Sequence, residues 1–163
     1  MNYIKITKND IANGPGVRVT LWVSGCSLRC KGCHNPQTWD FNAGKPFNQD
    51  ALNELLAALD KSYVQGLTLS GGNPLDSGPE ILSICKQVKE KFPTKDIWLY
   101  SGYTFEEIND KAVGEFILEY VDAVVDGPYI EEQRNIALKF RGSDNQHIWE
   151  RGEDGLWSIS TTM

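Results

Sequence analysis

Short apolar segments with the two-residue period of β-strands alternate along this chain with segments of helical period, at roughly thirty-residue intervals. The first strand-like segment alternates apolar and polar side chains from Val17 to Ser24. Three shorter apolar segments follow, at 66–70, 97–100 and 123–126. This order is typical of βαβ units, so the sequence predicts a single α/β domain over residues 1–163 with a mostly parallel sheet.

Helices are predicted between these strands from their capping residues and apolar stripes. Asn48 is a good N-cap for a first helix whose leucines recur on one face. Pro79 suits the first turn of a second helix. Thr104 begins a capping box, and a further helical stretch is predicted near 113–120. Two regions receive no assignment, residues 2–10 and the polar, aromatic region after residue 131.

The composition is that of an ordinary globular protein. Of 163 residues, 40% are hydrophobic and 23% are charged, which is enough for one packed domain. The net charge of −6 disfavours a protein that binds nucleic acid through its phosphates. Charged residues interrupt every apolar run before it reaches bilayer length, and the first residues do not resemble a targeting segment. We therefore expect a cytoplasmic protein that binds neither nucleic acid nor a membrane.

Three cysteines, Cys26, Cys30 and Cys33, follow the first predicted strand with the spacing C-x3-C-x2-C. Three soft ligands in one short loop converge on a metal centre at little cost in loop closure, and thiolates hold iron–sulfur clusters. A four-iron cluster with three protein ligands keeps one iron open to a substrate, as a catalytic zinc site does. The fourth cysteine, Cys85, lies on the apolar stripe of the second helix and is assigned to the core.

Two other interpretations of the cysteines remain open. A zinc site of the Cys3His type would recruit His34, although His34 directly follows Cys33 and adjacent side chains rarely reach one tetrahedral ion together. Disulfide pairing is disfavoured because the clustered cysteines are odd in number and no secretion signal precedes them. The spacing favours an iron–sulfur cluster over zinc.

A glycine pair, Gly71 and Gly72, follows the second predicted strand. The pair either makes a sharp turn or lets backbone groups lie directly against a ligand, because glycine has no Cβ. Ligands of parallel sheets bind beyond the carboxyl ends of the strands, so the glycine pair and the cysteines are expected on one rim. Asn73 comes next, and its neutral amide accepts a hydrogen bond without the charge assistance of an acid.

With both motifs placed, the sequence resembles the glycyl radical enzyme activating proteins of the radical S-adenosylmethionine (SAM) superfamily. Within them it is most similar to the subgroup that activates anaerobic ribonucleoside-triphosphate reductase. The resemblance covers most of the chain and includes 13–16, 23–26 with the following cysteines, 38–39, 69–72, 96–98, 102–103, 125–127 and 141–146. It implies a partial (β/α) barrel of the radical SAM type.

The resemblance also implies the residues of the site. Cys26, Cys30 and Cys33 would ligate a 4Fe-4S cluster. The SAM site would be formed by Gly32, Cys33, His34, Gly72 and Asn73. His34 replaces a more usual tyrosine, and Asn73 stands where an acid is more usual. No catalytic side chain beyond the cluster ligands is expected.

The chemistry and partners are implied in the same way. The reduced cluster would cleave SAM to a 5′-deoxyadenosyl radical, which abstracts hydrogen from a glycine of the large subunit of anaerobic ribonucleoside-triphosphate reductase. A low-potential donor such as flavodoxin would supply the electron. Alternatives are activation of another glycyl radical enzyme such as pyruvate formate-lyase, a small-molecule radical SAM reaction, or a zinc-stabilised interaction module. Asp126, at the end of the fourth predicted strand, is either a rim residue or a turn former.

Overall fold

The computed structural model describes all 163 residues and contains eight β-strands and four α-helices. The strands are β1 (Asn2–Asp10), β2 (Val17–Val23), β3 (Lys45–Pro46), β4 (Val64–Gly71), β5 (Asp96–Tyr100), β6 (Ala123–Asp126), β7 (His147–Arg151) and β8 (Trp157–Ile159). The helices are α1 (Gln49–Leu59), α2 (Gly78–Lys91), α3 (Phe105–Asp110) and α4 (Ala112–Leu118). None of the four helices meets the requirements of a membrane-spanning segment.

All eight strands form one mixed sheet in the order β3-β1-β2-β4-β5-β6-β7-β8. The four middle strands, β2, β4, β5 and β6, are parallel and correspond to the four predicted strands. The flanking strands pair antiparallel on both sides. The α/β class and the parallel middle are therefore confirmed, and the antiparallel flanks are an addition that the sequence did not predict.

The unassigned N-terminal region forms β1. Its pairing with β2 shifts register twice, between Tyr3 and Lys5 and between Thr7 and Asp10. Each shift moves the following side chains to the other face of the sheet, because side chains alternate along a strand. The two-residue period is therefore lost from the sequence although the strand is present.

The core lies on the helix-covered face of the sheet. Leu21, Leu69 and Leu99 are aligned across β2, β4 and β5 and are fully buried in one cluster of 24 residues. Helix α2 contributes Cys85 to this cluster, and its side chain is 0% exposed, so its assignment to the core is confirmed. A second, smaller cluster around Trp98 lies on the opposite face of the sheet.

The predicted helix starts are confirmed. The side chain of Asn48 accepts a hydrogen bond from the Ala51 amide at 3.0 Å. Thr104 and Glu107 form the complete capping box at the start of α3. The predicted stretch near 113–120 is α4, which ends two residues earlier. These caps fix where the chain leaves the sheet and returns to it.

Arg18 anchors the turn that precedes β2, and its side chain is 0% exposed. Its Nε donates to Thr68 Oγ1 at 2.8 Å, and its two terminal nitrogens donate to the carbonyls of Pro15 and Leu67 at 3.0 Å. The same guanidinium pairs with Asp96. Each of its three side-chain nitrogens thus finds an acceptor, as is required for burying a charged group. The turn is held against the sheet beside the site described next.

Candidate functional site

A cleft of about 510 Å³ opens at the carboxyl ends of the parallel strands. This volume is in the range of small-molecule sites. Val23 at the end of β2 lies opposite Gly71 at the end of β4, in parallel register. The cysteine loop that follows β2 and the glycine pair at the end of β4 therefore lie on one rim, as predicted. Both motifs line the cleft.

The cysteine loop brings Cys26, Cys30 and Cys33 to the cleft as free, half-buried thiols. Backbone hydrogen bonds anchor the start of the loop: Gly25 N–H donates to the Thr38 carbonyl at 2.7 Å, and Cys26 N–H donates to the Trp39 carbonyl at 3.1 Å. At its end, Cys33 N–H donates to the Cys30 carbonyl at 3.1 Å. The sequence thus brings all three predicted ligands to one concave surface.

The thiols influence one another. Burial raises the pKa of Cys30, the thiolates of Cys26 and Cys33 raise it further, and the backbone amide of Tyr129 opposes the shift. The Asn35 amide donates to the Cys33 sulfur at 3.4 Å. No three His, Cys, Asp or Glu side chains are grouped to hold a single metal ion.

The glycine pair packs directly on the cysteine loop. Gly72 N–H donates to the Val23 carbonyl at 2.9 Å, and Asn73 N–H donates to the Gly25 carbonyl at 2.8 Å. A Cβ on Gly72 would collide with the Gly25 carbonyl oxygen. Gly71 has a φ of +105°, a conformation that favours glycine. Close approach is therefore required at Gly72, and the backbone it approaches is that of the cysteine loop.

Asn73 is 1% exposed and lines the cleft. Its side-chain oxygen accepts a hydrogen bond from the Ser101 hydroxyl at 3.0 Å. Its Nδ2 is buried and has no hydrogen-bond partner in the protein. A buried donor without a partner is costly, and such groups are common where a ligand completes the site.

The other predicted residues lie around the mouth of the cleft. His34 is exposed, lines the cleft and meets the Tyr129 ring edge-on at 5.3 Å between ring centroids. Gly32 is exposed and does not line the cleft, and a Cβ at this position would collide with the Glu131 carboxylate. Its φ of +77° lets the cysteine loop turn at this point.

Asp126 does not line the cleft. Its buried carboxylate accepts hydrogen bonds from the Phe105 amide at 2.8 Å and the His147 amide at 3.0 Å. The interpretation of Asp126 as a rim residue is therefore wrong. Its carboxylate joins the start of α3 to the start of β7.

Sequence reasoning missed the part of the cleft that comes from β5 and the C-terminal region. Tyr100, Phe140 and Gln146 line the cleft, and so does Arg141, the sole Lys, Arg, Asp or Glu among its lining residues. Burial raises the pKa of Tyr100, so its hydroxyl stays protonated and donates to the Phe140 carbonyl at 2.6 Å. The region after 131 has no period to reveal it, and its signal is the motif at 141–146.

Comparisons with known proteins give the same family along nearly the whole chain. The family model described as "4Fe-4S single cluster domain" matches residues 12–149. An Enterobacteria phage T4 protein is 45% identical over 161 residues, which is 96% of this chain and 98% of that protein. A Vibrio cholerae protein is 41% identical and an Escherichia coli K12 protein 38% identical, each over 152 residues, 91% of this chain and 97% of the relative.

All three relatives carry the name anaerobic ribonucleoside-triphosphate reductase-activating protein. Identity at this level over almost the full length of both chains is enough to assign a family. The chain belongs to the family of anaerobic ribonucleoside-triphosphate reductase-activating proteins, and it contains their 4Fe-4S single cluster domain.

Proposed function

We propose that this protein is a radical SAM enzyme that generates a glycyl radical on the large subunit of anaerobic ribonucleoside-triphosphate reductase. The observation that carries the proposal is the meeting of three free thiols and a glycine-lined strand end in one cleft. The names of the relatives point to the same partner.

Cys26, Cys30 and Cys33 would hold the 4Fe-4S cluster. Their chemistry fits this group, because three soft sulfur donors on one loop face an open cleft and Cys85 is buried far along the chain in the helix-covered core. Three protein ligands leave room for a further ligand from the cleft. The free thiols also indicate a reducing compartment, and we place the protein in the cytoplasm.

SAM would occupy the rest of the cleft. Gly72 and Asn73 form its wall at the end of β4, and His34 lies at its mouth. The partnerless Nδ2 of Asn73 fits an acceptor on the ligand, and Arg141 would supply the one permanent positive charge of the cleft lining. Gly32 would act through the turn of the cysteine loop, since it does not itself line the cleft.

When bound, the cluster supplies the electron for reductive cleavage of SAM and hence for hydrogen abstraction from glycine. The protein's own residues would bind and orient SAM and exclude water from the cleft. We propose that the sheet acts as the partial (β/α) barrel of a single radical SAM domain over residues 1–163, and that the glycine-bearing segment of the reductase enters over the strand ends. A low-potential protein such as flavodoxin would reduce the cluster.

Anaerobic reconstitution of the full chain tests the proposal. We expect a brown protein with about four irons per chain. Its reduced electron paramagnetic resonance (EPR) signal should change when SAM is added, and mixing with the reductase large subunit should produce a glycyl radical signal. One tightly bound colourless metal ion would instead identify a zinc-stabilised module. If the cluster responds to SAM but the protein acts only on another glycyl radical enzyme or on a small molecule, the radical SAM assignment stands and the reductase is not its partner.

A further inference from the structure

A single carboxylate, that of Asp76, joins the cysteine loop to the ends of two strands. Asp76 lies in the 3-10 turn Pro74–Ser77, shortly after the glycine pair. One of its oxygens accepts hydrogen bonds from the amide and the hydroxyl of Ser27, at 2.9 and 3.0 Å. The other oxygen accepts the hydroxyl of Tyr103, which follows β5, at 2.8 Å. Since Ser27 directly follows Cys26, Asp76 holds the chain next to the first predicted cluster ligand.

The same carboxylate is linked to Asn73 on the cleft wall. The Asp76 amide donates to the Asn73 carbonyl at 2.9 Å. The Tyr103 amide donates to the Ser101 hydroxyl at 3.1 Å, and that hydroxyl donates to the Asn73 side-chain oxygen at 3.0 Å. Asp76 and Tyr103, here called the bridge, therefore connect the cysteine loop with the residue that carries the partnerless amide nitrogen.

The bridge is the sole polar anchor of the middle of the cysteine loop. Residues 27–29, between the first two cysteines, form hydrogen bonds with no residue outside the bridge. Apolar packing adds one contact, because a Cβ added at Gly102 would collide with a methyl group of Leu28. Leu28 and Gly102 both line the cleft, but Asp76 and Tyr103 do not. Any effect of the bridge on a ligand in the cleft must therefore pass through the residues that it holds.

We propose that Asp76 is a positioning residue, supported by Tyr103, that fixes the cysteine loop against the wall of the SAM site. The inference rests on the proposed function. SAM would contact the cluster and the cleft wall together, so its affinity depends on a fixed separation between the loop and Asn73. None of the three cysteines is hydrogen-bonded to the bridge, so its loss leaves all three sulfur donors in place. We therefore expect SAM affinity to fall while the iron content is kept.

The deciding experiment compares Asp76→Ala with Asp76→Asn and Asp40→Ala. The asparagine retains an acceptor oxygen for Ser27, and its amide nitrogen donates to the Tyr103 oxygen. Asp40 lies on the segment that anchors the start of the cysteine loop, and its carboxylate accepts the Asn42 amide at 2.9 Å. Asp40→Ala thus removes a negative charge near the loop without touching the bridge.

SAM affinity is measured by equilibrium titration of each reconstituted full-length protein, followed by the change in its EPR signal. We expect Asp76→Ala to bind SAM about tenfold more weakly than the wild type, as for the loss of hydrogen bonds to a charged group, and to keep about four irons per chain. Asp76→Asn should stay within about threefold of the wild type, and Asp40→Ala should equal it. Wild-type affinity in Asp76→Ala, or equal losses in the alanine and asparagine variants at position 76, overturns the proposal.

A second measurement uses the metal-free full-length chain. Hydrogen exchange of the Ser27 amide, followed by nuclear magnetic resonance, should become about tenfold faster in Asp76→Ala and stay near the wild-type rate in Asp76→Asn and Asp40→Ala. Unchanged exchange at Ser27 in Asp76→Ala also overturns the proposal. The exchange result does not require a cluster, so failure of the bridge and failure of the proposed function are distinguishable.

Tyr103→Phe decides if Asp76→Ala does not fold. This variant keeps the ring and removes only the hydroxyl that donates to Asp76. We expect it to bind SAM about threefold more weakly than the wild type, as for the loss of one net hydrogen bond. Wild-type affinity in a folded, fully loaded Tyr103→Phe protein overturns the proposal.

Discussion

Asn73 and Ser101 join the ends of neighbouring strands β4 and β5 through one buried hydrogen bond of 3.0 Å, donated by the serine hydroxyl to the amide oxygen. The bond fixes the plane of the Asn73 amide, whose partnerless Nδ2 is buried, and the residue lines the cleft. The orientation of a prospective ligand-binding group is therefore set before any ligand arrives.

Asn73→Ala is expected to weaken SAM binding about fivefold to tenfold, since it removes a buried hydrogen-bonding group. Asn73→Asp retains the acceptor for Ser101 but replaces the Nδ2 donor with a carboxylate oxygen, so we expect binding weakened at least as much as in the alanine variant. Equilibrium titration of the reconstituted protein with SAM measures both. Equal affinity in the wild type and the alanine variant would remove Asn73 from the site.

The three proposed cluster ligands and the buried Cys85 are expected to respond differently to substitution. Cys26→Ala, Cys30→Ala and Cys33→Ala are each expected to lose most of the iron bound after reconstitution, because each removes one of three sulfur donors. Cys85→Ala is the matched control: it should retain about four irons per chain and lose about 1 kcal/mol of stability through the small cavity it leaves in the core. Iron analysis and chemical denaturation measure the two effects. Full iron content in any of the first three variants contradicts the ligand assignment.

Asp10 predicts a pH dependence of stability. Burial alone would raise the pKa of its carboxyl, but hydrogen bonds from the Thr20 hydroxyl, the Asn13 side chain and the amides of Ala12 and Asn13 outweigh burial and hold the pKa below its ordinary value of 3.8. A depressed pKa in the folded state stabilises the protein above the ordinary pKa and stops doing so as the pH falls through the folded-state value.

Asp10→Asn should therefore cost about 2 kcal/mol of unfolding free energy at pH 7, and the difference should shrink as the pH falls below the ordinary carboxyl value. Denaturation at a series of pH values measures this. Asp110→Asn is the control, since Asp110 is exposed, and it should leave stability nearly unchanged throughout. If the destabilisation by Asp10→Asn does not vary with pH, the turn is stabilised by the packing and hydrogen-bond geometry of the side chain and not by the charge of its carboxylate.

Arg18 tests how the turn before β2 is held. Arg18→Ala leaves Thr68 and Asp96 without their buried donor, so we expect a loss of about 3 kcal/mol. A double-mutant cycle with Asp96→Ala isolates the ion pair, and the double variant should lose less than the sum of the single variants. Additive losses would mean that Arg18 acts through its carbonyl and hydroxyl partners alone.

The middle of the fold could be predicted from the sequence because local patterns specify it. Strands β2, β4, β5 and β6 carry short apolar runs, and Asn48 and Thr104 cap helices by local hydrogen bonds. The placement of the cysteines and the glycine pair on one rim followed from parallel pairing alone. Local periodicity and one topological rule were sufficient there.

The remainder depends on contacts between distant residues, which leave no period in the sequence. Strand β1 is hidden by its register shifts, and β7 is secured to β6 partly by Asp126, whose side chain was taken for a possible rim residue. Ser143, Asn145 and Gln146 hold the backbone of residues 127–130 through side-chain hydrogen bonds. Such bonds are specified by shape and partner and not by a repeating pattern.

The backbone of Gly72 lies so close to the Gly25 carbonyl that the glycine pair and the cysteine loop cannot move independently. A methyl group at position 72 would push the glycine pair and the cysteine loop apart. Gly72→Ala is therefore expected to reduce both iron retention and SAM affinity. Substitutions that separate iron retention from SAM binding must therefore be made at neighbours such as Asn73, where only the side chain changes and the backbone contact with the cysteine loop is kept.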